Sequence, residues 1–243
     1  MRKPLQFAWE VYTKKFEKVL LLMLFTTLPL LILHNFITNY IYVVTPVTFG
    51  ASVGDIYYGL ITILLFIYGQ VPYIRFLYAE YKGGEASFRD AIYHFLVNGF
   101  TVFVFACIVS ILTSIGFILL ILPGILFLSI LFPIPYVAIF EEKSVWKSWK
   151  EGWNIGKRHF WKIAILLTLT GLLEFLLGIY VTVQLFNITP SYAAQIITQI
   201  VINIIIYPFI VFLMAAFTIK WREALTILSV EEERGKNAEP LSS

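Results

Sequence analysis

Three stretches of this chain carry no charge: the residues between Lys18 and Asp55, between Asp90 and Glu141, and between Glu174 and Lys220. A hydrocarbon layer about 30 Å thick takes about 20 helical residues to cross, so the second and third stretches are each too long for a single crossing. Turn chemistry shows where they divide. Pro123-Gly124 splits 91–140, and Asn187-Ile188-Thr189-Pro190-Ser191 splits 163–219. The first stretch reads as one span followed by a polar-aromatic loop holding Asn35, Asn39, Pro46, Gly50 and Gly54. The pattern predicts six transmembrane helices over 18–38, 56–78, 95–119, 121–140, 161–184 and 196–219. Strands of a membrane barrel would alternate in and out over about 9–11 residues, whereas Val19 to Phe25 is almost uniformly apolar. The expected fold class is an all-α integral membrane protein, with a membrane domain over 1–222 and a polar, disordered tail over 223–243.

Composition agrees. Hydrophobic residues make up 59% of the chain and charged residues 14%, against about 45–50% and about 25% in soluble domains. The net charge of +3 does not imply a nucleic-acid partner, because the basic residues flank apolar runs rather than forming a soluble basic face. The single cysteine, Cys107, cannot form an intramolecular disulfide. The first apolar run begins only near Val19 and lacks a small-residue cleavage pattern, so no removable signal peptide is expected.

All 18 Lys and Arg residues fall on one side of the six-span arrangement, and none lies in the connections near 39–55, 119–121 or 185–195. The positive-inside rule then places both termini and two connecting segments in the cytoplasm. All six tryptophans, Trp9, Trp146, Trp149, Trp153, Trp161 and Trp221, lie in or beside the basic segments. Rings there anchor at a headgroup interface or pack within a cytoplasmic cap.

Residues 143–160 read as an interfacial helix: Trp146, Trp149, Trp153 and Phe160 share one stripe, with Lys143, Lys147, Lys150, Lys157 and Arg158 on its flank. Its basic flank suits anionic headgroups, and the same segment also serves simply to lever the fifth span into place. A related pattern precedes the first span. Trp9, Val11, Lys14, Phe16, Lys18 and Val19 match Trp153, Ile155, Arg158, Phe160, Lys162 and Ile163 at the same spacing. With a weaker third copy at 91–100, the fold would be three helical hairpins, each preceded by a cytoplasmic amphipathic segment. Convergent entry into a membrane through Trp, Lys and Phe gives the same pattern without a repeat.

Leu122-Pro123-Gly124-Ile125, then Phe132-Pro133-Ile134-Pro135, Phe140-Glu141-Glu142, Ser148-Trp149 and Phe160-Trp161-Lys162 together resemble a bacterial family. It comprises glycerophosphoryl diester phosphodiesterase membrane domains and related six-helix membrane proteins. The resemblance covers 118–165 through motif order and the remainder through hydropathy. It implies a stand-alone membrane domain in a bacterial inner membrane. It does not imply hydrolysis, which in that family resides in a separate fused domain.

Glu174 is the most informative single residue. It stands near the middle of the fifth span, where a charge costs about 2.5–3.5 kcal/mol, so it must be neutral, paired or hydrated. Thr170, Gly171 and Gly178 share its face and permit a close neighbour; Asn203 at similar depth in the sixth span is the expected partner. Glu174 is either a proton, cation or substrate contact or a protonated link between helices. Gln70 beside Pro72 and Arg75 is a second intramembrane polar candidate. Helix breaks are expected at Pro123-Gly124 and at Pro133 and Pro135. Such breaks line sites in transporters and also occur as kinks absorbed by neighbouring helices. Arg75 is expected to snorkel to the interface.

Enzyme signatures are missing from the sequence. His34, His94 and His159 are dispersed without metal-ligand spacing, and there is no Gly-x-Ser-x-Gly elbow or phosphate loop. Glu141-Glu142 superficially matches a paired-glutamate membrane protease, but no histidine-bearing helix completes that site. The expectation is a protein without enzymatic activity, metal or cofactor, whose partners are the bilayer and a membrane protein or a second copy of itself. It would act as an accessory factor or subunit in lipid homeostasis, export or immunity to membrane-active compounds. The alternative is a small transporter or permease subunit using Glu174 and the proline-broken helices. A water-accessible cavity reaching Glu174 separates the second from the first.

Overall fold

Proline lacks the N–H that the helix ladder needs, and the positions of proline decide much of this backbone. The computed structural model describes residues 3–45 and 53–238, with 226–238 as backbone only. Among these residues all regular structure is helical: α1 (Pro4–Lys14), α2 (Phe16–Leu22), a π-helical turn (Met23–Thr27), α3 (Leu28–Val44), α4 (Val53–Gly69), α5 (Val71–Tyr81), α6 (Phe88–Leu119), α7 (Ile121–Leu131), α8 (Pro133–Phe140), α9 (Trp149–Arg158), α10 (Phe160–Ile188) and α11 (Tyr192–Ala238). Six helical stretches are long and apolar enough to cross a membrane: Phe16–Val44, Val53–Tyr81, Phe88–Leu119, Ile121–Phe140, Phe160–Ile188 and Tyr192–Leu225. They agree in number and order with expectation and extend beyond it at most ends. The helical spans and the apolar side chains exposed along them, such as Phe36, Ile118, Leu122 and Phe175, suit a multi-pass membrane protein.

Several boundaries differ for identifiable reasons. Asn35 and Asn39, expected in a loop, both lie inside α3, where their side-chain amides donate to the carbonyls of Leu31 and Asn35 four residues back. Gly54 lies in α4, while Pro46 and Gly50 fall outside the described residues. The third and fourth spans divide at Leu120, which is extended (φ −163°, ψ 152°), as the expected ends at 119 and 121 require, although Pro123-Gly124 themselves do not break the helix. Those two sit in the first turn of α7, where a missing N–H costs nothing because first-turn donors have no helical acceptor. Pro133 likewise opens α8, and the break falls at Phe132, with Pro135 in the same first turn. The tail from 223 continues as helix to Ala238; its run of Glu, Arg, Ala and Leu favours helix, and 239–243 lie outside the described residues.

The segments bearing the basic residues gather at one end of the bundle. Arg75 is ion-paired rather than free: its Nε donates to Asp90 Oδ2 at 2.7 Å and Nη1 to Glu142 Oε1 at 2.6 Å. Glu142 is the one non-glycine residue at positive φ (54°) among those described, in a turn that Arg75 holds from one side. Arg222 holds the other side, donating to Glu141 and, at 2.5 Å, to Glu151. Lys18 Nζ donates to the Ala86 carbonyl at 2.9 Å.

The segment expected to lie along the interface is shorter than predicted and packs into the bundle. Only Trp149–Arg158 is helical, and it buries Gly152, Ile155 and Gly156. A Cβ on Gly156 would stand 2.0 Å from the Ile130 carbonyl oxygen, and one on Gly152 2.5 Å from Ile134 Cα, so both glycines are needed for this close approach to α7 and α8. Trp146, Trp149 and Trp153 stack in a ladder at 6.3 and 6.2 Å, each pair 14° from parallel. Trp9, Trp146 and Trp161 are exposed, whereas Trp221 is buried and stacks on His159 at 5.4 Å. The tryptophans therefore divide between surface and cap.

The internal similarity is much closer in the structure than its sequence signal. Lys15 and His159 interrupt the helices at equivalent places with nearly the same backbone angles (φ −112°, ψ 25° and φ −112°, ψ 18°). The spans that follow, Phe16–Val44 and Phe160–Ile188, are each 29 residues long, so the offset of 144 residues (159 minus 15) holds at both ends. Val19 and its counterpart Ile163 are both buried. The weak third copy at 91–100 has no such break, because α6 runs unbroken from Phe88.

Candidate functional site

Four spans carry a proline or an irregular turn in segments that contact one another. Span 1 contains the π turn Met23–Thr27 followed by Pro29; span 2 breaks at Gln70 before Pro72; span 4 breaks at Phe132 before Pro133; and span 6 carries Pro208 inside α11. Each proline leaves a carbonyl one turn earlier without its helical donor, and π turns recur at functional sites. Buried tyrosines bridge this waist. Tyr73 Oη lies 2.5 Å from Thr27 Oγ1 and 3.5 Å from Thr26 Oγ1. Tyr207 donates to the Phe66 carbonyl at 2.9 Å, and Gly69 makes room for it: a Cβ there would meet Tyr207 Oη at 2.8 Å. Tyr136 donates to Gln70 Oε1, while Gln70 Nε2 has no partner although the residue is 1% exposed.

Toward the basic end the waist leads into a close-packed core, including Leu22, Ile74, Phe76, Ile134, Ile139 and Phe212, all under 2% exposed. Away from the basic end the spans part around a cavity of about 640 Å³. The volume lies in the range of small-molecule sites. Glu174 reaches it, as expected, together with Asn203, but the two make no hydrogen bond; Asn203 accepts from Gln199 Nε2 at 3.5 Å. Glu174 has no hydrogen-bond or ion-pair partner among the described residues. Gln70 lies in the waist and not in the lining, and Pro123, Gly124, Pro133 and Pro135 lie apart from the cavity.

The sequence reading missed half of the site. His34, Asn35, Thr27 and Thr62 line the wall opposite Glu174, with His34 Nε2 2.9 Å from Thr62 Oγ1. Five cavity residues of span 1, Thr27, Leu30, Leu31, His34 and Asn35, are matched 144 residues on by Gly171, Glu174, Phe175, Gly178 and Ile179, which line it from span 5. The cavity therefore sits between the two similar units, the place where transporter sites form in internally repeated folds. That offset was already present in the tryptophan pattern and, carried one span further, would have led from Glu174 to this wall.

Among the described residues, no Lys or Arg lines the cavity. The ionisable groups of its lining among the described residues are Glu174, His34, Tyr58 and Tyr207. The described residues hold no cluster of three or more potential metal ligands. At the basic end, the bond from Lys143 and the nearby Arg222 hold the Glu141 carboxyl below its ordinary range despite partial burial, and burial with the neighbouring Lys162 and Arg158 lowers the His159 imidazole. No family model, curated protein or solved structure matches this chain.

Proposed function

We propose that this protein is a small transporter or permease subunit whose ligand occupies the cavity around Glu174. The carrying observation is that cavity: a largely apolar space with polar groups such as His34, Asn35, Thr62 and Gln199 in its lining reaches an intramembrane carboxylate, where a dry bundle would favour the accessory role in lipid homeostasis, export or immunity. Support comes from the waist beneath it, since discontinuous helices with freed carbonyls are the usual floor of a transporter site. On the positive-inside rule the basic end and both termini face the cytoplasm, and the cavity lies beyond the waist from that end. An inner-membrane location, expected from the resemblance to the bacterial phosphodiesterase membrane-domain family, belongs to the same proposal. No catalytic role is assigned, because among the described residues Glu174 makes no hydrogen bond to a second acid, base or nucleophile, and His34 across the cavity is paired with Thr62.

The test is hydration of the cavity. In a Cys107→Ser background, cysteines at Thr62, Thr182 and Asn203 should react with a membrane-impermeant maleimide added from the side opposite the basic end. A cysteine at Leu169, which is 57% exposed on the outer surface of the same helix as Glu174, should not react. If all three cavity positions resist labelling in the folded protein, the transport reading fails and the accessory role takes its place.

A further inference from the structure

The chemistry of the ligand follows from the charge of the lining and from where the cavity is open. Span 5 packs along span 6 and α7, span 1 packs along spans 2 and 6, and the two have no extended packing on each other. Phe175, Ile179 and Val183 line the cavity yet are 62, 47 and 53% exposed. Its wall is therefore open sideways, toward the region that lipid chains occupy in a membrane. A ligand entering there must partition into the bilayer, so it carries an apolar segment.

Polarity selects the other end of the ligand. The lining holds one carboxylate and no Lys or Arg. An anionic head, or the phosphodiester of a phospholipid, would be buried against Glu174 with no cation to pair it, which is costly in low dielectric. A cation finds the reverse. Glu174 supplies the counter-charge, and the rings of Tyr58, Phe66, Phe175 and Tyr207 face the same space, where aromatic faces attract ammonium groups. The carboxamides of Gln199 and Asn203 offer oxygens beside them.

We propose that the cavity binds a small cationic amphiphile, an ammonium group on a single apolar tail, entering between spans 1 and 5 with its head on Glu174. This rests on the reading of the cavity as a ligand site and adds its ligand class.

Binding of tritiated dodecyltrimethylammonium to the purified protein in phosphatidylcholine nanodiscs, corrected with empty nanodiscs, tests it. Binding should saturate at one site per chain and be displaced by unlabelled dodecyltrimethylammonium but not by dodecyl sulfate, which has the same tail and the opposite charge. Glu174→Gln should weaken binding by about tenfold or more. Gly171→Leu provides a second variant that avoids a change of charge: Gly171 lines the cavity with nothing within 4 Å of an added Cβ, so the leucine should fill the site without disturbing the fold and should abolish binding. Bound cation should also protect cysteines at Thr62 and Asn203 from maleimide. Equal displacement by dodecyl sulfate, wild-type affinity in Glu174→Gln, or absence of saturable binding overturns the assignment. If the cysteines label and the cation gives no protection, the ligand class falls and the hydrated cavity stands. If they do not label at all, the cavity reading falls with it.

Discussion

The two halves of this bundle, divided at the proline waist, are built on opposite principles. Toward the basic end, helices approach until glycine is required, as where α9 meets α7 and α8, and charged side chains clamp the connecting turn through Arg75 and Arg222. Away from it the α6–α7 hairpin is still glycine-tight, with Gly116 against Gly124, but the spans around the cavity diverge: Gly171 faces open space, and Glu174 stands without a partner among the described residues. One half provides rigidity and the other provides room. A carboxylate at mid-span is tolerable only in the second kind of environment, where water or a ligand can reach it.

Substitutions can break this contrast in four steps of decreasing size. Gly156→Val places a side chain against the Ile130 backbone and should cost more than about 4 kcal/mol. The expected result is loss of a monodisperse peak in detergent; a variant of wild-type thermal stability would show that the close-packed half is softer than described. Tyr136→Phe removes the donor to Gln70 and leaves a buried amide with neither end satisfied, at about 1–3 kcal/mol. Thermal unfolding in detergent should detect it.

Third is the clamp on the turn. Because the Glu141 carboxyl is held below its ordinary range, by Lys143 first and then by Arg222, its contribution is present above the ordinary carboxylate pKa. It is lost as pH falls through the depressed value. Arg222→Ala should lower stability by about 1 kcal/mol at neutral pH and flatten this acid dependence, as read from unfolding temperatures across a pH series. An unchanged acid limb would show that Lys143 alone holds the Glu141 carboxyl and would remove Arg222 from the account. The smallest effect is expected in the open half: Gly171→Leu should change stability by no more than about 0.5 kcal/mol. A large loss there would mean that the cavity is narrower than described.

The charge-free stretches made the span count legible, because the hydrocarbon thickness sets a length that sequence alone can be measured against. Break positions were less legible. Pro123 and Pro133 were recognised as interruptions, but a first-turn proline is compatible with helix, so the chain turns at Leu120 and Phe132 instead. Arg75 was assigned to the interface because its acceptors, Asp90 and Glu142, lie on other segments and no local pattern announces them. Glu174 was found for the converse reason: a carboxylate between apolar neighbours is conspicuous without knowledge of any partner. His34 was not, because its place across the cavity depends on how two distant spans face each other.

The π turn Met23–Thr27 sets the rotational phase of span 1. It takes up one residue beyond regular α-helical winding, and everything from Leu28 onward is turned about the helix axis relative to an uninterrupted coil. His34 and Asn35 owe their aim to that rotation. A chain shortened by a single residue within the turn could rewind as ordinary helix with its packed root unchanged, yet its upper part would present a different set of side chains to the opening. Composition would barely register such an edit, although it would redraw one wall of the binding space.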